Sequence, residues 1–145
     1  GGVYYQQGNF TQAAADFNKA IAIKPNFEKA YYNRGVGYYE QNNFTHAIVE
    51  YNRAIEINSN FEKAYYNRGC VYYQQGNFTQ AISDYTKAIE INPNFEKVYY
   101  NRGIVYYFLK EYDQALKDVH RAEELGSVVN IKFLEALKKA SGRDK

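Results

Sequence analysis

The string Tyr-Tyr-Asn-Arg-Gly stands at residues 31–35, 65–69 and 99–103, so the chain returns to the same residues every 34 positions. Residues 28–61 and 62–95 differ at only 10 positions, and 96–129 continues the pattern before diverging. Upstream, residues 1–27 match the last 27 positions of the same unit, with Gly1 aligned to Gly35. Self-similarity at this period marks an array of stacked supersecondary units rather than one core drawn from distant segments. The chain therefore reads as a truncated unit, 1–27, three complete units, 28–61, 62–95 and 96–129, and a terminal helix with tail, 130–145.

Each unit predicts two helices. Tyr31, Gly35 and Tyr38 recur at spacings of four and three, on one face of a first helix. Asn42 and Asn43, replaced by Gly76 and Asn77 in the next unit, break it. Thr45, Thr79 and Asp113 are expected to cap the second helices, and Thr11 the one in the truncated unit. Ala47, Ile48, Tyr51, Ala54 and Ile55 then form an apolar stripe. Asn58-Ser59-Asn60 and Asn92-Pro93-Asn94 end these helices, because Asn favours turns and Pro cannot continue a helix interior. Glu28, Glu62 and Glu96 fall in the first turn of the following helix, where a negative charge meets the positive end of the helix dipole.

Gly35, Gly69 and Gly103 fall mid-helix, where Gly costs roughly 0.5–1 kcal/mol relative to Ala. The same cost at one register three times implies that a second helix approaches the backbone there, with Ala47, Ala81 and Ala115 expected on its near side. Tyr38, Phe44, Tyr51 and their counterparts fill the remaining space. No single hairpin can cover such rings, but stacked neighbours can. The 17 Tyr and 9 Phe fit this picture, since a Tyr ring is apolar while its hydroxyl tolerates water.

The order Tyr65-x2-Arg68-Gly69-x2-Tyr72, then Ala81-x3-Tyr85, then Pro93, resembles the tetratricopeptide repeat pattern W-x2-L-G-x2-Y, A-x3-F, P. The resemblance covers nearly all of residues 1–126. Tyr replaces Trp, Arg replaces Leu, and Ser59 and Ser127 stand where Pro is usual. The Arg stem can pack while its head reaches solvent or a neighbouring carboxylate. The resemblance implies an all-α, right-handed superhelical solenoid of antiparallel hairpins. Beyond it, Ile131, Phe133, Leu134 and Leu137 predict a further helix ending near Gly142. Lys132, Lys138, Lys139, Arg143 and Lys145 would give that helix the polar outer face a terminal cap needs.

By the same resemblance, a concave peptide-binding groove is lined by positions two, five, six, nine, twelve and thirteen of each unit. In the first complete unit these are Lys29, Tyr32, Asn33, Val36, Tyr39 and Glu40. The next unit supplies Lys63, Tyr66, Asn67, Cys70, Tyr73 and Gln74. The last supplies Lys97, Tyr100, Asn101, Ile104, Tyr107 and Phe108, and the truncated unit adds Tyr5 and Gln6. An Asn amide both donates and accepts, so it can pair with any peptide backbone. The column Asn33, Asn67 and Asn101 resembles the asparagine ladder of the tetratricopeptide superhelix of O-GlcNAc transferase, which grips extended backbones. The alternative is that these amides serve helix-to-helix hydrogen bonds. With helices about 8–10 Å apart, three rungs would span roughly 20 Å, or about six extended residues at ~3.3–3.6 Å each.

The Lys column also invites comparison with the clamp by which some family members hold the C-terminal carboxylate of heat-shock chaperones. The match is incomplete. Tyr stands at the fifth position and Val36, Cys70 or Ile104 at the ninth, where the clamp uses Lys and Asn, and Asn101 replaces its Arg. Solvated lysines are the expectation.

Other functions find little footing. The net charge of +2 implies neither nucleic acid nor an anionic membrane as partner. His46 and His120 lie far apart and are expected to be exposed. No His, Cys or carboxylate set has metal-ligand spacing, and the glycines form no phosphate-cradling loop. Cys70, the single cysteine, reads as a small apolar residue in place of Val36. The expectation is a non-enzymatic, protein- or peptide-binding scaffold without cofactor or metal. Recruitment of substrates to a larger enzyme and self-association through the truncated leading edge are the alternatives.

Overall fold

The computed structural model describes residues 10–143, which form eight α-helices and no strand. They are α1 (Phe10–Ile23), α2 (Glu28–Glu40), α3 (Phe44–Ile57), α4 (Glu62–Gln74), α5 (Phe78–Ile91), α6 (Glu96–Phe108), α7 (Tyr112–Glu124) and α8 (Ile131–Ala140). The chain groups into two compact units, Gly1–Val71 and Tyr72–Lys145. Tyr5, Gln6 and the leading edge lie outside the described residues, as does Lys145.

The turns between helices follow from single residues. Asn42, Gly76 and Lys110 take positive φ (57°, 73° and 62°) two residues beyond the last helical residue. The next residue then donates its N–H back five residues: Asn43 to the Tyr38 carbonyl (2.8 Å), Asn77 to Tyr72 (2.8 Å), Glu111 to Tyr106 (2.9 Å). This left-handed turn satisfies carbonyls that a bare helix end leaves open. The second helices start two residues earlier than the Thr-cap reading expects. Asn43 and Asn77 are the caps, their side chains accepting from the N–H of His46 and Gln80, while Glu111 occupies that place without a side-chain cap bond. Thr45, Thr79 and Asp113 sit inside the first turn, and Thr11 lies within α1. The reason is packing. Placing Phe44 and Tyr112 first in their helices sets their rings on Tyr39 (5.8 Å) and Tyr107 (5.9 Å).

In the first unit α2 packs on α1 and α3. Ala47, Tyr51 and Val71 form its buried cluster, flanked by half-buried Tyr32, Val36, Tyr38, Tyr39, Phe44 and Ile48. A Cβ on Gly35 would lie 2.7 Å from Tyr51 Cε1 and 3.2 Å from Glu50 Cβ. The close approach is real, but its near side is Tyr51 and Glu50 rather than Ala47. In the second unit α6 packs on α5 and α7, and α7 on α8. Ala115, Leu116, Val119 and Leu137 are buried together. A Cβ on Gly103 would stand 3.0 Å from Val119 Cγ2 and 3.3 Å from the Ala115 carbonyl oxygen. Leu137 anchors α8, with Phe133 and Leu134 half-buried beside it, whereas Ile131 is exposed.

The Arg that replaces the usual Leu is the hub of a polar network. Arg34 Nη2 donates to both carboxylate oxygens of Glu50 (2.8 Å each) and Nη1 donates to Asn18 Oδ1 (2.6 Å). Arg102 repeats this with Asp118 (2.7 and 2.8 Å) and Thr86 (3.0 Å), and Arg68 Nη1 donates to Asn52 Oδ1 (2.7 Å). Each Arg thus joins its helix to the second helix of the preceding repeat, and Arg34 and Arg102 also reach the second helix of their own. Burial opposes the charge on Arg102, but the Asp118 carboxylate outweighs it and holds the guanidinium above its ordinary range.

Candidate functional site

The expected groove residues that are described fall on the first helices of the hairpins, α2, α4 and α6. In the first unit Lys29, Asn33, Glu40 and Lys63 are exposed, while Tyr32, Val36, Tyr39, Tyr66, Asn67 and Cys70 are half-buried. Two candidates are brought together directly: Asn67 Nδ2 donates to the Tyr32 hydroxyl at 3.0 Å. That bond uses one of two amide hydrogens. The Tyr32 ring is held by Phe61 (5.0 Å) and Tyr51 (6.0 Å). Burial pushes the Tyr32 hydroxyl above its ordinary pKa, against the smaller opposing pull of Asn67. The middle Asn of the column therefore makes the helix-to-helix bond that sequence reasoning set beside the ladder.

In the second unit Lys97 is exposed, Gln74 is exposed, and Tyr73, Tyr100, Asn101, Ile104 and Tyr107 are half-buried. Phe108 is 53% exposed and stacks on Phe78 at 5.9 Å and 14°. Phe133 of α8 meets Tyr100 and Tyr107 edge-on, at 6.1 and 5.4 Å. The terminal helix thus covers part of the last unit's candidate face. The sequence marked Phe133 as apolar, but nothing in it named those two tyrosines as partners.

The face offers hydrogen-bonding amides, flat rings and lysines. Among the described residues, no group of three His, Cys, Asp or Glu is placed to hold a metal ion, and no helix is long and apolar enough to cross a membrane. His46 and His120 are exposed; their ring Nδ1 atoms lie 2.8 Å from Asn43 Oδ1 and 3.1 Å from Glu123 Oε2.

Residues 1–41 and 37–76 match a family model described as TPR repeat. Residues 62–95 and 84–117 match two described as tetratricopeptide repeat. The chain belongs to the tetratricopeptide repeat family. A tetratricopeptide unit is a protein-interaction repeat, in scaffolds that are usually non-catalytic. This tetratricopeptide protein is similar to a crystal structure of MamA at 30% identity and a TM-score of 0.79, over 84% of this chain and 71% of that one. A second crystal structure of MamA protein gives 29% and 0.77, over 94% and 69%. The first TPR of Spaghetti (RPAP3), bound to the HSP90 peptide SRMEEVD, gives 26% and 0.72, over 79% and 90%. Comparison with curated protein sequences gives no match.

Proposed function

We propose that this tetratricopeptide protein binds an extended peptide segment of a partner protein along the first-helix face. Lys29, Tyr32, Asn33, Val36 and Tyr39 contact it, as do Lys63, Tyr66, Asn67, Cys70 and Tyr73, and Lys97, Tyr100, Asn101, Ile104 and Tyr107. The observation that carries this reading is the preorganised Tyr32–Asn67 pair. It fixes a flat ring and an amide at the same face, and rigid rings with few rotors cost little entropy on binding. A structurally similar TPR holding a peptide supports it further. Asn33 and Asn67 would pair with the peptide backbone while the lysines favour acidic side chains.

The test separates the amide's two roles. A pooled library of extended peptides is passed over the wild type, Asn67→Ala and Tyr32→Phe, each first shown to be helical by circular dichroism. Tyr32→Phe breaks the internal bond but keeps the amide. Peptide retention that falls with Asn67→Ala and survives Tyr32→Phe supports backbone gripping. Equal retention by all three would leave Asn67 structural and remove it from the site.

A further inference from the structure

Phe108 occupies the thirteenth position of its unit, where the two preceding units carry Glu40 and Gln74. Leaving a Phe 53% exposed forgoes the gain that burying its ring would bring, and a polar residue at that place would fold as well. The ring is nonetheless held firmly. Phe78 lies beneath it at 5.9 Å and 14°, Tyr73 contacts both at 6.0 and 6.3 Å, and Tyr107 meets it edge-on at 5.8 Å. Leu109, next in the chain, is 39% exposed. Lys97, itself exposed, is the one charged residue of the candidate face in this unit; the rest are Tyr, Asn, Ile, Gln and Phe.

We propose that Phe108, on its base of Phe78 and Tyr73, is an aromatic shelf that selects peptides carrying an aromatic side chain and, some residues away, a carboxylate for Lys97. This deepens the peptide-binding reading and rests on it, with the segment running down α6 in this unit rather than across the Asn column. An incoming ring extends the existing stack by the offset geometry that aromatic pairs prefer, with centroids about 4.5–7 Å apart, and covers the open face of Phe108. Lys97 and Phe108 lie eleven residues apart on α6, roughly 16 Å at 1.5 Å per residue. An extended segment advances about 3.3 Å per residue, so a segment laid along α6 places the carboxylate about five residues from the ring. Arg102 is already engaged by Asp118, so Lys97, the one charged residue of the candidate face in this unit, makes an acidic residue the complementary choice.

The probes are pools of extended peptides of about twelve residues, with Phe or Ser fixed at one position and Glu or Lys fixed five away, all others randomised. They are applied to the full chain, to Phe108→Gln (the residue its neighbouring unit carries at Gln74) and to Lys97→Ala. Phe108 is half exposed, so Phe108→Gln is expected to keep the wild-type circular dichroism. The Phe/Glu pool is expected to be enriched about tenfold over the Ser/Glu and Phe/Lys pools. Phe108→Gln should abolish the preference for Phe, and Lys97→Ala the preference for Glu. Pools that bind the wild type and Phe108→Gln with the same preference for Phe would overturn the shelf while leaving the groove. Pools that bind nothing would overturn both.

Discussion

Arg102 and Asp118 form a two-pronged pair in which the side chains are 16% and 5% exposed. Arg102→Met keeps the apolar stem but strands the Asp118 carboxylate and removes the bond to Thr86. Breaking a buried pair from one side costs about 3–5 kcal/mol. Water reaches the guanidinium edge, so the low end applies, about 3 kcal/mol, of which the Thr86 bond is roughly 1. Asp118→Leu strands Arg102, whose longer side chain can turn toward solvent, and is expected to cost about 2 kcal/mol. The double variant has no stranded charge and should lie within about 1 kcal/mol of wild type, since an apolar pair of similar volume can replace a buried ion pair. The four proteins are compared by urea unfolding, with amide exchange in α6 and α7 read beside it because repeat arrays need not unfold as one step. The expected coupling is about 4 kcal/mol, the two single costs less that of the double variant. Costs that simply add, or an Arg102→Met cost below about 1 kcal/mol, would refute the pair as a buried, mutually dependent device.

Four further outcomes follow from the packing and burial. Gly35→Ala gains about 1 kcal/mol in helix propensity but drives a methyl into Tyr51 at 2.7 Å, a clash worth about 1–3 kcal/mol; thermal unfolding should show net destabilisation. Gly103→Ala, with its nearest contact at 3.0 Å, should cost less. Phe133→Ala removes the ring that meets Tyr100 and Tyr107 and should cost about 2 kcal/mol, less than a fully buried Phe, with faster exchange confined to α8 and its contacts. Tyr32 keeps its proton to higher pH in the folded chain than in the unfolded one, whose phenols ionise near pH 10. Its contribution is therefore complete below about pH 10 and fades as pH rises through the folded value. Tyr32→Phe should lose less stability across that alkaline range than wild type does.

The period of 34, the paired helices and the glycine contact were legible because each depends on side-chain size at a fixed register. The polar and aromatic partners that stayed hidden lie sixteen or more residues away, and one local choice, the helix cap, stayed hidden with them. Glu50, Asp84 and Asp118 sit inside the apolar stripe and are buried, yet periodicity reads a carboxylate as solvent-facing. Only the placement of Arg34 on Glu50 and Arg102 on Asp118 explains two of them. Asn43 and Thr45 are both capping residue types; the choice went to Asn43 because Phe44 must reach Tyr39. The expected groove residues lie on the first helices, but the Tyr32–Asn67 bond and the cover that Phe133 gives to Tyr100 and Tyr107 are matters of geometry that no spacing encodes.

The most direct measurement is an amide chemical-shift titration of the labelled chain with its best-retained peptide. Binding along the first-helix face predicts shifts concentrated at Asn33, Val36, Asn67, Cys70, Asn101 and Ile104, with Val49, Lys87 and Lys117 on the second helices unmoved. Shifts that map instead to α3, α5 and α7, with the first helices silent, would contradict it.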